Sequence, residues 1–366
     1  SVLGLVQSIH TRQRGFSVRF EKYETYVTMK IRFGPLCALA LLANSFLTPS
    51  FSEKDRSGQE PLLRNGDRVA IVGGGLIERA RLNGYLETAL TVGAGPKVTG
   101  LKFRNLGWSG DTVFNDARSY FGKPQEGRER LRKIIGEWKP TVVLLNYGSE
   151  VALSYGRAWT DEPIARHRCS GPWKESLGVF TEGFQKMVDA IRKEAGTELR
   201  KIVILTPPPL ENLGVPLPDH RETNRRLAEV CSSLKGLAQK NHLEFADLFG
   251  AMKGLETEPL THDGLHFTDM GYRQLAGALS SVLGYGPPRN NFDDDPSVQE
   301  IRKAVIEKNR LFFHRWRPAN ETYLYLFRKH EQGNNAKEIP QFDPLIEQSE
   351  MEIERARSEF FKGSQG

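Results

Sequence analysis

The sequence predicts an α/β protein built on a five-stranded parallel sheet covered by helices on both faces. Three observations carry that prediction. Short apolar runs such as Thr141–Asn146 (TVVLLN) and Lys201–Thr206 (KIVILT) have the length and branched content of strands buried on both sides. Longer segments with apolar residues every three or four positions separate these runs. Strand and helix alternate along the chain, and right-handed crossovers turn that alternation into a doubly wound sheet. A ligand site is then expected at the carboxyl ends of the strands.

Taken in order, Asp67–Val72 reads as the first strand and Leu76–Leu90 as a helix. Val98–Leu106 is the second strand, and Arg128–Trp138 a helix that Pro140 ends. Thr141–Asn146 is followed by the helix Leu177–Glu194, and Pro207–Pro209 stop the strand Lys201–Thr206. Then come the helix Glu222–Gln239, the short strand Leu243–Ala246 and the helix Asp269–Leu283. Gly284–Asp295 (GYGPPRNNFDDD) is a linker by composition. Beyond it, Val298–Arg315 and Pro344–Phe361 read as long charged helices around a basic and aromatic stretch, Phe312 to Arg328. The chain thus divides into an upstream segment (1–52), an α/β domain (60–286) and a helical C-terminal extension (296–366).

With 366 residues, 39% apolar and 26% charged, one large domain plus extensions is expected. The balance excludes a disordered, collagen-like or multi-span membrane protein. Four of the six net positive charges lie in residues 1–52, which hold six basic and two acidic side chains. The basic character is therefore a property of that segment and gives no reason to expect a nucleic-acid partner. Met29, Lys30 and Arg32 precede the uncharged run Phe33–Leu47, which is too short for a stable membrane span. A basic start, a short apolar centre and the small residues Ser45 and Ser50–Ser52 read as a secretory signal over about 29–52, hence export. Cys37 lies inside that run. Cys169 and Cys231 are left either as a disulfide or as two separate thiols.

The chemistry gathers at the strand ends. Three strands run into glycine-containing turns: Val72-Gly73-Gly74-Gly75-Leu76, Asn105 to Thr112 (NLGWSGDT), and Asn146-Tyr147-Gly148-Ser149-Glu150. Turns of this kind expose main-chain N–H groups, the raw material of an oxyanion hole. Thr261 to Thr268 (THDGLHFT) places Asp263 and His266 three residues apart across a glycine, before a helix that Thr268 can cap. Such a turn lets the carboxylate fix the imidazole tautomer and makes His266 a usable base. A zinc reading of His262, Asp263 and His266 is disfavoured because Gly264 places them on a loop. A dinucleotide site at Gly73-Gly74-Gly75 is disfavoured because the third glycine position is Glu78. Neither a metal nor a cofactor is called for.

These four blocks, in this order over roughly residues 66–284, resemble the SGNH (GDSL-like) hydrolases. The resemblance implies a three-layer, flavodoxin-like α/β/α sandwich and hydrolysis of carboxylic esters of lipids, sugars or small acyl compounds. It implies Asp263 and His266 as the catalytic dyad and Gly110 as an oxyanion donor. The family's Gly-Asp-Ser-Leu block reads Gly73-Gly74-Gly75-Leu76 here, so the nucleophile position holds Gly75. In the third block, Gly-x-Asn-Asp, Gly148-Ser149-Glu150 is the nearest match, with Ser149 in place of the asparagine donor and Asn146 as a possible substitute. Glycine cannot form an acyl-enzyme. Three readings follow: hydrolysis by water activated by His266 or by a neighbouring hydroxyl (Ser109 or Thr112), a pseudoenzyme that binds an ester or glycan, or another chemistry. The partner expected is a small-molecule or carbohydrate ester. The segment from Asn309 to His330 resembles a tail on exported SGNH-like proteins of planctomycete-type bacteria. Its interleaved aromatic and arginine side chains suit stacking on a sugar or holding an anion, but the favoured expectation is that Trp316, Tyr323 and Phe327 pin the tail to the core, with its arginines paired to acids.

Overall fold

The computed structural model describes residues 61–120, 122–153, 172–255, 258–286 and 295–363. Five strands form one sheet: β1 (Arg68–Gly73), β2 (Lys102–Gly107), β3 (Val142–Asn146), β4 (Lys201–Leu205) and β5 (Glu244–Ala246). Every pairing is parallel, and the order is β2-β1-β3-β4-β5. The expected α/β architecture with C-terminal helices is present. Because the central strands are covered on both sides, alternate residues enter opposite cores. Val69, Ile71, Val142, Leu144, Val203 and Leu205 face one, and Ala70, Val72, Val143, Leu145, Ile202 and Ile204 the other. The chain leaves β1 towards β2 on one side and returns to β3 on the other, so the order reverses at β1. Gly73 is in register with both Gly107 and Asn146, so three strands end level at that crevice.

The helices are α1 (Gly75–Ala80), α2 (Tyr85–Gly93), α3 (Pro124–Trp138), α4 (Ser149–Leu153), α5 (Trp173–Ala195) and α6 (Arg221–Lys240). They continue with α7 (Leu248–Met252), α8 (Asp269–Val282), α9 (Pro296–Trp316), α10 (Glu321–Leu324), α11 (Lys329–Gln332) and α12 (Phe342–Gly363). The single helix expected over Leu76–Leu90 is two. Its apolar spacing continues across a turn at Asn83-Gly84, where Gly84 adopts φ +71 and the Asn83 carbonyl accepts from Arg302 Nη1 at 3.0 Å. Strand β2 starts at Lys102 rather than Val98, because Gly100, at φ +68, turns the chain first. Helix α3 starts four residues before Arg128, with Pro124 in its first turn and the Glu126 carboxylate accepting from the Lys123 N–H at 3.0 Å. The short helices α4 and α7 have too few residues to show a period.

Helices α9 and α12 pair through Ile301, Val305, Ile353 and Ala356. They lie along the edge strand β2. The buried Lys308 ammonium donates to the Phe103 carbonyl at 3.1 Å and to Glu87 Oε2 at 2.7 Å. Glu350 receives Arg104 at 2.5 Å and Lys102 at 3.1 Å. The extension thus covers an edge that would otherwise offer open main-chain groups. Trp316 packs against the core and Leu324 is buried, whereas Phe327 is 68% exposed and does not pin the tail as expected. Cys231 is a free buried thiol, and burial, with Asp247 adding to it, pushes it up to about 12. Cys37, Cys169, the segment read as a signal and residues 287–294 of the linker lie outside the described residues. Among the described residues no helix is long and apolar enough to cross a membrane.

Candidate active site

The level ends of β1, β2 and β3 deliver their three glycine turns to one side of the sheet, and the loop before α8 reaches the same place. Together they enclose a cavity of about 280 Å³. Seven residues singled out from the sequence line it: Gly75, Ser109, Gly110, Thr112, Asn146, Ser149 and His266. Leu76, Leu153, Leu265 and Tyr272 supply apolar wall, and Arg79 a cation. A larger groove, of about 400 Å³, runs between α3 and α5 and includes none of the predicted residues.

The loop carrying the dyad is built to hold its shape. Thr261 and Phe267 form an antiparallel bridge, and the His262 N–H donates to the His266 carbonyl at 2.9 Å. Gly264 makes the turn at φ +88, and its carbonyl accepts from the Glu211 N–H at 3.0 Å. The buried Glu211 carboxylate accepts from the N–H groups of Leu260 at 2.8 Å and Thr261 at 2.7 Å, and from the Thr261 hydroxyl. Thr268 caps α8 as expected, accepting from the Gly271 N–H at 3.0 Å. Asp263 Oδ1 accepts from the N–H groups of Leu265 (3.0 Å) and His266 (2.7 Å), which leaves Oδ2 for His266 Nδ1 at 2.7 Å. Burial alone would raise the Asp263 carboxyl, but the imidazole and the two main-chain N–H groups outweigh it and hold it at about 2. Ionised at neutral pH, Asp263 keeps the proton on Nδ1 and leaves Nε2 as the basic nitrogen.

Gly75 is the first residue of α1, and a Cβ there would meet only Ser109, at 3.6 Å from Oγ and 3.9 Å from Cα. Sterics therefore do not demand glycine at this position. Gly110 lies exposed between two braced neighbours. After it, the buried Asp111 Oδ2 accepts from Arg118 Nε and the Tyr147 hydroxyl, both at 2.6 Å. Before it, the Ser109 N–H donates to Glu78 Oε2 at 2.7 Å.

Three sequence expectations are corrected. Asn146 cannot serve as an additional oxyanion donor, because its amide Nδ2 donates to the carbonyls of Leu205 (3.2 Å) and Thr206 (3.1 Å) and ties β3 to β4. Thr112 is unsuited as a nucleophile, because its buried hydroxyl donates to Asp116 Oδ1 at 2.8 Å and accepts from the Phe114 N–H at 3.1 Å. Ser109 is exposed and faces the space above Gly75, and Ser149 opens α4 at the cavity wall. Counting two residues on from Gly148, the asparagine position of the third block falls on Glu150 rather than Ser149. The Glu150 carboxylate folds back to accept from the Gly148 N–H at 2.8 Å. Burial pushes it up to about 7 against that hydrogen bond, with Asp111 and Asp116 adding to the rise. The spacing from Gly148 is the signal in the sequence that marks Glu150.

No curated protein matches the sequence. Among solved structures, a catalytic mutant of the acetylxylan esterase Axe2 from Geobacillus stearothermophilus is similar at 18% identity, covering 62% of this chain and 100% of that one, with a TM-score of 0.46. Axe2 itself is similar at 18% identity with the same coverages and a TM-score of 0.45. A gut microbial diltiazem-metabolizing enzyme, BT4096, is similar at 17% identity over 62% of this chain and 48% of that one, with a TM-score of 0.46. The GDSL-like Lipase/Acylhydrolase family model matches residues 72–274, a stretch that takes in all four strand-end blocks. With more than half of its length under that match, the chain belongs to the GDSL-like lipase/acylhydrolase family.

Proposed function

We propose that the protein hydrolyses carboxylic esters, acylated carbohydrates among them, with a water molecule acting where the family uses a serine. His266 Nε2 takes a proton from that water as its oxygen attacks the ester carbonyl. The N–H groups of Gly75 and Gly110 receive the oxyanion, and Asp263 stabilises the imidazolium. The tetrahedral intermediate expels the alcohol oxygen, which takes the proton back from His266. Acid and alcohol leave, and no acyl-enzyme forms. The observation that carries this reading is the shared cavity, which an imidazole oriented by a carboxylate at 2.7 Å lines together with Gly75 and Gly110.

The test is acid release from acetylated sugars and short-chain esters, with no initial burst. His266→Ala is expected to lower kcat by about 10²- to 10⁴-fold. A His266→Ala variant indistinguishable from the wild type would end the proposal. A burst, with a serine-directed phosphonate bound at residue 109, would transfer the nucleophile to Ser109. Gly75 itself favours a second reading, a pseudoenzyme that binds an ester or glycan. Calorimetric binding of such a ligand without turnover would establish it.

We further propose that the chain is exported under the signal read over about 29–52, with the α/β domain (60–286) and the extension (296–366) following it. Secreted protein whose first residue falls between 45 and 53 is the expected result, and protein retained inside the cell with residues 29–45 intact would refute it.

A further inference from the structure

We propose that the C-terminal extension is a working part of the active site: through Arg317 it holds the Trp108–Gly110 turn so that the Gly110 N–H stands ready as an oxyanion donor. This positioning role rests on the ester-hydrolysis reading above. Gly110 has no side chain to anchor it and is exposed, so its neighbours must fix its direction. On the far side the core does this through Asp111, gripped by Arg118 and Tyr147. On the near side the grip comes from Glu78, held in turn by residues of the extension more than 200 positions away.

Glu78 Oε2, on α1, accepts from both the Ser109 N–H at 2.7 Å and Arg317 Nη1 at 2.5 Å. One carboxylate oxygen therefore links the extension to the main chain next to Gly110. The Arg317 guanidinium also lies 3.6 Å over the centre of the Trp108 ring. Trp108 is buried, and its ring meets Trp316 edge-on at 5.6 Å and Tyr120 at 5.2 Å. Residues 316 and 317 thus hold residues 108 and 109. Arg317 is itself steadied on both sides. It caps the end of α9, its N–H donating to the Phe313 carbonyl at 2.9 Å. Four residues on, Glu321 pairs with Arg130 at 2.5 Å. The Arg317 and Glu78 side chains are only 17% and 15% exposed, so solvent screens their attraction weakly. Burial would raise the Glu78 carboxyl, but the Ser109 N–H and Arg317 hold it below the usual range, so the clasp stays charged at neutral pH. A charge-assisted hydrogen bond combined with a cation over an aromatic face fixes direction as well as distance.

The experiment compares Arg317→Ala and Arg317→Lys with the wild type, reading kcat, KM and hydrogen exchange at the amides of residues 108–111. For Arg317→Ala, kcat is expected to fall by about 10- to 100-fold with KM changed by less than about threefold. Exchange at Ser109, whose N–H donates to Glu78, should quicken at least about tenfold, with β3 and β4 unchanged. Arg317→Lys keeps a cation for Glu78 but loses the flat stack on Trp108, and should recover part of both effects. Unchanged kcat with unchanged local exchange would overturn the proposal, and so would exchange that quickens equally throughout the sheet. If the wild type hydrolyses no ester, the reading of function falls. The exchange measurement then decides on its own whether Arg317 holds the turn.

Discussion

Replacing Gly75 by serine tests the proposal that residue 75 stands where the family places its nucleophile. The geometry admits the change. A Cβ at residue 75 stands 3.6 Å from Ser109 Oγ and 3.9 Å from Ser109 Cα, both ordinary contacts, and Gly75 is not among the glycines with positive φ. Serine is favoured over glycine within a helix by a few tenths of a kcal/mol, so Gly75→Ser should leave stability unchanged or raised by about 0.5 kcal/mol. The new hydroxyl enters the cavity that His266 lines. Restoring an activated nucleophile should lower the barrier by about 2.7 kcal/mol or more, a gain of at least about 10² in kcat/KM on short-chain esters. The assay pairs that rate with covalent labelling by a serine-directed phosphonate. Labelling should appear in Gly75→Ser, vanish in Gly75→Ser with His266→Ala, and be accompanied by a burst. A folded Gly75→Ser that neither labels nor gains rate would show that residue 75 does not face the imidazole. The assignment of the nucleophile position would then be wrong.

Gly264→Ala should cost about 2 kcal/mol or more in urea unfolding and at least tenfold in activity. Residue 264 has φ +88, and a Cβ there would stand 2.7 Å from the Glu211 carbonyl oxygen and 2.9 Å from the His220 ring, pushing on the loop that carries Asp263 and His266. Glu150 stays protonated in the folded chain up to about pH 7 but ionises near 4.5 when unfolded, so the folded state binds more protons between those values. Stability should therefore fall as pH rises from about 4.5 to 7, and thermal unfolding of Glu150→Gln should show a flatter profile across that window.

What the sequence made legible follows from the range of the forces involved. The central strands were readable because a strand covered on both faces must be apolar throughout, and Val69–Val72, Val142–Leu145 and Ile202–Leu205 are. The Asp263–His266 contact was readable because it spans three residues and a glycine turn. The break between α1 and α2 was not, because Leu76, Ile77, Ala80, Leu86 and Leu90 keep one period across a turn whose carbonyl is bound by Arg302 from the extension. Asn146 was misjudged for a similar reason. Its place at a strand end suggested a donor for ligands, but the carbonyls that occupy its amide belong to the neighbouring strand. The clasp between Glu78 and Arg317 joins residues 239 positions apart, and no local pattern announces it.

That clasp bears on whether the site works or only binds. An ion pair taken out of water contributes little net stability beyond what apolar side chains of the same volume would supply, so folding alone gives weak reason for one. Two such pairs bracket Gly110: Asp111 with Arg118, fully buried, and Glu78 with Arg317, mostly so. What charged groups add over apolar packing is direction, and direction is what a main-chain donor needs when charge develops on an oxygen for only an instant. A pocket that simply retains a ligand tolerates a loop that adjusts to it. The rigid bracket around a residue without a side chain therefore favours turnover over binding, and it sets the oxyanion side of the site apart from the two departures from the family pattern, Gly75 and Glu150.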